Sequence, residues 1–150
     1  MASHPASPRV AYALVAMTAV ACVGPARTFD VYTGKAENSV ETARSGVETT
    51  LAAIDVATGG EAFAPFVSIT IEDADVTVAG AQSGFASIQP PDQASDQLRQ
   101  RVLPVLSEAA DLVDRARIAA RRVDLSVLTG LRRELDETSR KLDALVGALA

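Results

Sequence analysis

Three glutamates, Glu37, Glu41 and Glu48, stand at spacings of four and seven, so on a helix they share a face. Glu72, Asp73 and Asp75 cluster further on, and residues 28 to 75 hold nine acids and two bases. Carboxylates grouped in this way are oxygen ligands for a hard cation. A di-metal centre in a helical bundle, however, needs inward Glu together with Glu-x-x-His pairs, and the one histidine is His4, near the start of the chain. Apolar residues already fill the inward face of each helix, so these acids are expected at solvent, with no metal and no cofactor. A carboxylate pair for glycoside hydrolysis would need aromatic sugar platforms, and the chain has no Trp and two Tyr. The second group is cationic: Arg115, Arg117, Arg121, Arg122, Arg132 and Arg133. Guanidinium groups brought together hold phosphates or carboxylates by paired hydrogen bonds, so the six are a candidate patch for an anionic partner. They have competing uses. Cations near a helix C-terminus complement its dipole, and Asp114, Asp124, Glu134, Asp136 and Glu137 lie close by to pair with them.

Other chemistry finds no residues to carry it. The sequence has no G-x-S-x-G elbow, no phosphate-binding G-x-x-x-x-G-K-S/T loop and no G-x-G-x-x-G turn. Between residues 22 and 150 no histidine exists to activate a hydroxyl or thiol, so the chain is expected not to be an enzyme. A net charge of −5 and a pI near 4.8 argue against general nucleic-acid binding, which needs clustered cations to neutralise phosphates.

The single cysteine, Cys22, has a different setting. Residues 1 to 9 are polar with one cation, Arg9, and residues 10 to 23 are apolar apart from Thr18 and the Tyr12 hydroxyl. Fourteen such residues are too few for a membrane-spanning helix, which needs about 20, and Gly24-Pro25 ends the run. A cationic start, a short apolar middle and small residues at the end make a signal peptide. Ala19-Val20-Ala21-Cys22 resembles the bacterial lipobox, a small or aliphatic triplet before Cys, with Ala19 where Leu is usual. The resemblance covers about 15 residues and concerns processing alone. It implies that Cys22 takes a diacylglyceryl group and becomes the first residue of the mature chain. Two acyl chains hold a protein on a bilayer where one gives marginal binding. The same residues also fit ordinary A-x-A cleavage, giving a secreted protein with a free thiol, or an uncut short anchor.

Behind this segment, hydropathy repeats at helical spacing. Tyr32, Ala36, Val40, Ala43, Val47, Leu51 and Ile54 define a first helix, which Asp30 is expected to cap with Val31 as its first residue and Gly59-Gly60 is expected to end. Residues 66 to 88 allow two assignments. Val67, Ile69 and Ile71 alternate with Ser68 and Thr70, as in a hairpin strand. Val67, Ile71, Ala74, Val78, Ala81, Phe85 and Ile88 also recur at 4, 3, 4, 3, 4 and 3. The turn a hairpin would need lacks Gly or Asn, and a lone hairpin is marginal, so helix is predicted. Pro90-Pro91-Asp92 breaks and recaps the chain. A third helix carries Leu98, Val102, Val105, Ala109, Leu112, Ala116, Ala119 and Val123, with Pro104 expected to kink it or restart it. A step of five from Val123 to Leu128 breaks the phase, predicting a turn at 123 to 126 with Asp124 or Ser126 as cap. One long helix with a register shift is the alternative. Leu128, Leu131, Leu135, Thr138, Leu142, Leu145 and Leu149 form the fourth stripe. Phe63, Phe66, Phe85 and Tyr32 are expected in the core.

These elements predict an all-α, up-down-up-down four-helix bundle over residues 31 to 150, after a signal peptide at 1 to 21 and a tether at 22 to 30. Such a chain would sit on the outer face of a bacterial cytoplasmic membrane, held by Cys22, in a non-catalytic binding or structural role with a protein partner in the envelope. The alternative is a lipoprotein that presents a solute or metal to a membrane transporter, for which Thr138 and Gln82 are the inward polar candidates.

Overall fold

The computed structural model describes residues 26–60 and 64–150, so Cys22 and the signal-like segment lie outside the described residues, as does Phe63. Four helices account for most of the rest: α1 (Phe29–Thr58), α2 (Ala64–Ser87), α3 (Gln93–Arg121) and α4 (Leu125–Leu149). No strand is present among the described residues, and none of the helices is long and apolar enough to cross a membrane. Residues 66 to 88 are therefore helical rather than a hairpin.

Local chemistry fixes the ends. The first helix begins two residues earlier than predicted. Thr28, not Asp30, is its cap, with the Thr28 hydroxyl accepting from the Val31 amide, while Asp30 sits in the first turn where its charge favours the helix dipole. At the other end Gly60 takes the left-handed conformation (φ 73°). Asp92 caps α3 through the Ser95 amide at 2.8 Å, and Asp124 caps α4 through the Val127 amide at 3.2 Å. The Ser126 hydroxyl donates to Asp124 and so supports the cap instead of forming it. Pro104 neither ends nor restarts α3, which runs unbroken from Gln93 to Arg121.

Neighbouring helices run antiparallel, with α1 and α3 closing one diagonal of the bundle and α2 and α4 never meeting. The core is aliphatic, with Tyr32 and Phe85 as its aromatic pair, their rings 5.4 Å apart and tilted by 50°. The predicted stripes of α1, α2 and α4 largely face inward. Leu51, Ala81, Leu145 and Leu149 are half-buried at the margins. In α3 the core position is Leu106, and Val105 is half-buried. Val123 is not in the core. It is 59% exposed with φ 54°, a left-handed residue that turns the chain between α3 and α4. Phe66, expected in the core, is 63% exposed. Gly46 is buried where α1 crosses α2. A Cβ there would stand 2.4 Å from Val78 Cγ2, so the helices meet at a distance only glycine permits.

Candidate functional site

The six arginines do lie on the distal halves of α3 and α4, away from the pole where α1 begins. They do not form one patch. Arg117 and Arg121 turn toward α2, where Arg117 meets Asp75 at 2.9 Å and also pairs with Asp114, and Arg121 meets Glu72 at 2.7 Å. Arg115 turns toward α4 and meets Glu134 at 3.1 Å. Arg132 turns toward α1 and grips Asp55 with two hydrogen bonds, 2.6 and 3.1 Å, while also reaching Asp136. Among the described residues Arg122 and Arg133 form no salt bridge. Hydrogen bonds from the Ser126 hydroxyl and the Val127 amide, with a lesser pull from the Arg122 charge, hold the Asp124 carboxyl below its usual range. Four guanidinium groups of the candidate patch are thus engaged by carboxylates of the bundle itself.

The same chemistry closes the other candidates. Hydrogen bonding to Arg132 holds the Asp55 carboxyl low. Burial pushes Asp75 up against the pull of Arg117. The Thr138 hydroxyl is taken by Glu108 at 3.3 Å, and Glu108 also holds Lys141 at 2.7 Å. Gln82 donates to Ser107. Arg99, which no sequence motif signalled, donates to the carbonyls of Ala86 and Ile88 at 2.7 and 2.8 Å and so satisfies the C-terminal end of α2. Burial raises the Tyr32 phenol against the opposing pull of the Arg99 guanidinium. No group of three or more His, Cys, Asp or Glu among the described residues is placed to hold a metal ion. At the distal pole a half-open cavity of about 240 Å³ is lined by Ala57, Gly60, Ala64, Val67, Ala120 and Val123, with Leu125 and Leu128. Among the described residues it presents no side chain that could orient a polar ligand.

What distinguishes the molecule is where ion pairs are absent. The α1–α4, α2–α3 and α3–α4 seams each carry two: Arg44–Asp143 and Arg132–Asp55, Arg117–Asp75 and Arg121–Glu72, Arg115–Glu134 and Lys141–Glu108. Among the described residues the α1–α2 seam carries none. Its outer surface is built from two exposed stripes at helical spacing. One is Asn38, Thr42, Ser45, Thr49, Ala52 and Val56 of α1. The other is Phe66, Ile69, Asp73, Val76, Gly80, Ser83 and Ser87 of α2. Asp73 is the single charge in the two stripes, and α2 has no basic residue at all. The hydroxyls here are turned inward on their own helices. Thr42, Thr49, Thr70 and Thr77 donate to the carbonyls of Asn38, Ser45, Phe66 and Asp73, at 2.7 to 2.9 Å. Their protons need no water, so this face can be covered at little desolvation cost.

The fold and this surface describe a helical bundle with one side that carries no ion pair among the described residues and few charges, Asp73 and, three residues before Asn38, Lys35. Comparison with known protein families, with characterised proteins and with solved structures gives no match.

Proposed function

We propose that the protein is a lipid-anchored bundle on the outer face of a bacterial cytoplasmic membrane and that it acts by binding, in a structural role within the envelope, rather than by catalysis. The observation that carries this reading is the spacing between Cys22 and α1. Seven residues, 22 to 28, precede Phe29. Fully extended they span about 24 Å, enough to keep the proximal pole close to a bilayer that holds Cys22. Because α1 has 30 residues, the α3–α4 turn stands about 45 Å further out. The folded part then presents its sides to neighbouring proteins, and the sparsely charged α1–α2 face is the side suited to contact.

The test is the intact mass of the protein from the membrane fraction, beside a Cys22→Ser variant. The expected mass is that of residues 22 to 150 plus a diacylglyceryl group, lost in the variant together with membrane retention. An unmodified chain still carrying residues 1 to 21 would overturn the anchor.

A further inference from the structure

The exposed stripe of α2 is graded. Its N-terminal half is large and apolar, with Phe66 63%, Ile69 60% and Val76 70% exposed. Its C-terminal half is Gly80, Ser83 and Ser87, all exposed and all small. We propose that the α1–α2 face is the interface of a symmetric homodimer, in which α2 packs antiparallel against α2 of a second copy about a twofold axis at Val76.

Three observations select a second copy over other occupants. The first is size complementarity along one helix. An axis at Val76 sets Ile69 opposite Ser83 and brings Phe66 within one residue of the level of Ser87, so each large side chain meets a small one. The second is charge. The same axis sets Asp73 within one residue of the level of Gly80 and about 9 Å along the axis from its own copy, so the two acids do not meet. The one cation at the spacing of the α1 stripe is Lys35, three residues before Asn38, and a single lysine is not the basic cluster that holds anionic lipid headgroups. The third is extent. α2 has 24 residues, about 36 Å at 1.5 Å each, and two helices with axes about 9 Å apart are about 18 Å wide. That is about 650 Å² per copy, close to the roughly 800 Å² a stable standard interface covers. An isologous contact of this kind closes on itself and does not propagate. The axis crosses α1 at Gly46, beside Ala74 and Val78, with Ser45 and Thr49 on either side of it. The inference takes up the binding role proposed above and does not depend on the anchor.

Cysteine cross-linking of the full chain in membranes tests it, with the unsubstituted chain as control for Cys22. Val76→Cys is expected to form a disulfide-linked dimer under mild oxidation. Ile69→Cys co-expressed with Ser83→Cys is expected to cross-link, and Ile69→Cys alone is not, because its two copies lie about 21 Å apart along the axis and a disulfide needs Cα atoms within about 7 Å. Val76→Arg, with the helical circular dichroism unchanged, is expected to lower the dimer fraction about tenfold by setting like charges against each other. Absence of a cross-link at Val76→Cys, or cross-linking of Val76→Cys to a different protein, overturns the proposal. So does Ile69→Cys linking to itself. Intact mass on the same preparations reports acylation separately, so loss of the anchor and loss of the dimer are read apart.

Discussion

Between α1 and α4 the bundle is held by Arg44–Asp143 and Arg132–Asp55. Between α1 and α2 it is held by Gly46 against Val78, with no ion pair among the described residues. The two seams share a helix and differ in what joins them. The charged seams lie at the surface, where most of the partners are half-exposed, and such pairs add little stability. The uncharged seam depends on close approach, which a single methyl group would disturb. Four of the six charges that might have made an open binding patch on α3 and α4 are consumed in joining helices. The side that makes no use of charge is left with apolar and hydroxyl groups outward.

The largest effect should come from the tight seam. Gly46→Ala forces a Cβ to within 2.4 Å of Val78 Cγ2, and overpacking of this kind costs about 2 kcal/mol. The expected result is a lower urea midpoint with an unchanged slope. Gly34→Ala on the same helix is the control. Nothing stands within 4 Å of its Cβ position, so it should raise stability by about 0.5–1 kcal/mol. If both variants behave alike, the seam is not set by packing.

Next in size is the least exposed of the ion pairs. The side chains of Arg117 and Asp75 are 22% and 19% exposed. Arg117→Met should lower stability near neutral pH by less than Gly46→Ala does, since removing one partner leaves a partly buried carboxylate unpaired. Burial already raises the Asp75 carboxyl. A carboxyl with a raised folded value gains relative stability as pH falls through that value, so the deficit of the variant should shrink toward pH about 4. Thermal melts across pH check this. A deficit that stays constant would mean that Arg117 acts through packing alone.

The rest of the acid response has the opposite sign. Hydrogen bonds hold Asp55, Asp92 and Asp124 below the usual carboxylate range. Each contributes stability that is complete above its unfolded value of about 3.9 and is lost as pH falls through the lower folded value. Melting temperature should therefore drop below pH about 4, and Asp55→Asn and Asp124→Asn should flatten that drop. The Asp124→Asn variant keeps a capping side chain, so it removes the titration without removing the cap.

Helix existence was legible because each core stripe keeps the 3.6-residue period over its whole length, and Leu128, Leu131 and Leu135 are as buried as that pattern demands. The step of five between Val123 and Leu128 correctly marked a turn, although Val123 itself serves as its left-handed residue rather than as core. The ambiguity of residues 66 to 88 has a physical source. Ile69 and Val76 are exposed while Val67, Ile71 and Val78 are buried, so α2 is apolar on two sides, and two apolar stripes on one helix imitate the alternation of a strand. That same feature is the sparsely charged face. Its signal was present in the letters, but composition cannot say which of two apolar stripes turns inward. The fate of the arginines was legible in part. Asp114, Glu134 and Asp136, close by in sequence, do pair with Arg117, Arg115 and Arg132, but Glu72, Asp75 and Asp55 lie 42 to 77 residues from the arginines they meet, and only the antiparallel register brings them within reach.

The smallest expected effect completes the comparison. Arg44 is half-exposed and meets Asp143 at 3.1 Å, with Glu48 at 3.8 Å on its own helix. The Asp143 hydrogen bond raises its already high pKa, so it stays charged at every pH the fold survives, and only screening or deletion can silence it. Arg44→Gln should change stability less than any of the variants above. Raising salt to about 1 M, where screening acts over about 3 Å, should erase even that difference, while the loss in Gly46→Ala persists or is partly offset, since salt leaves steric overlap untouched. If Arg44→Gln instead cost as much as Gly46→Ala, the α1–α4 seam would be held by charge, and the contrast between the two sides of the bundle would have to be drawn from its pairing geometry rather than from its packing.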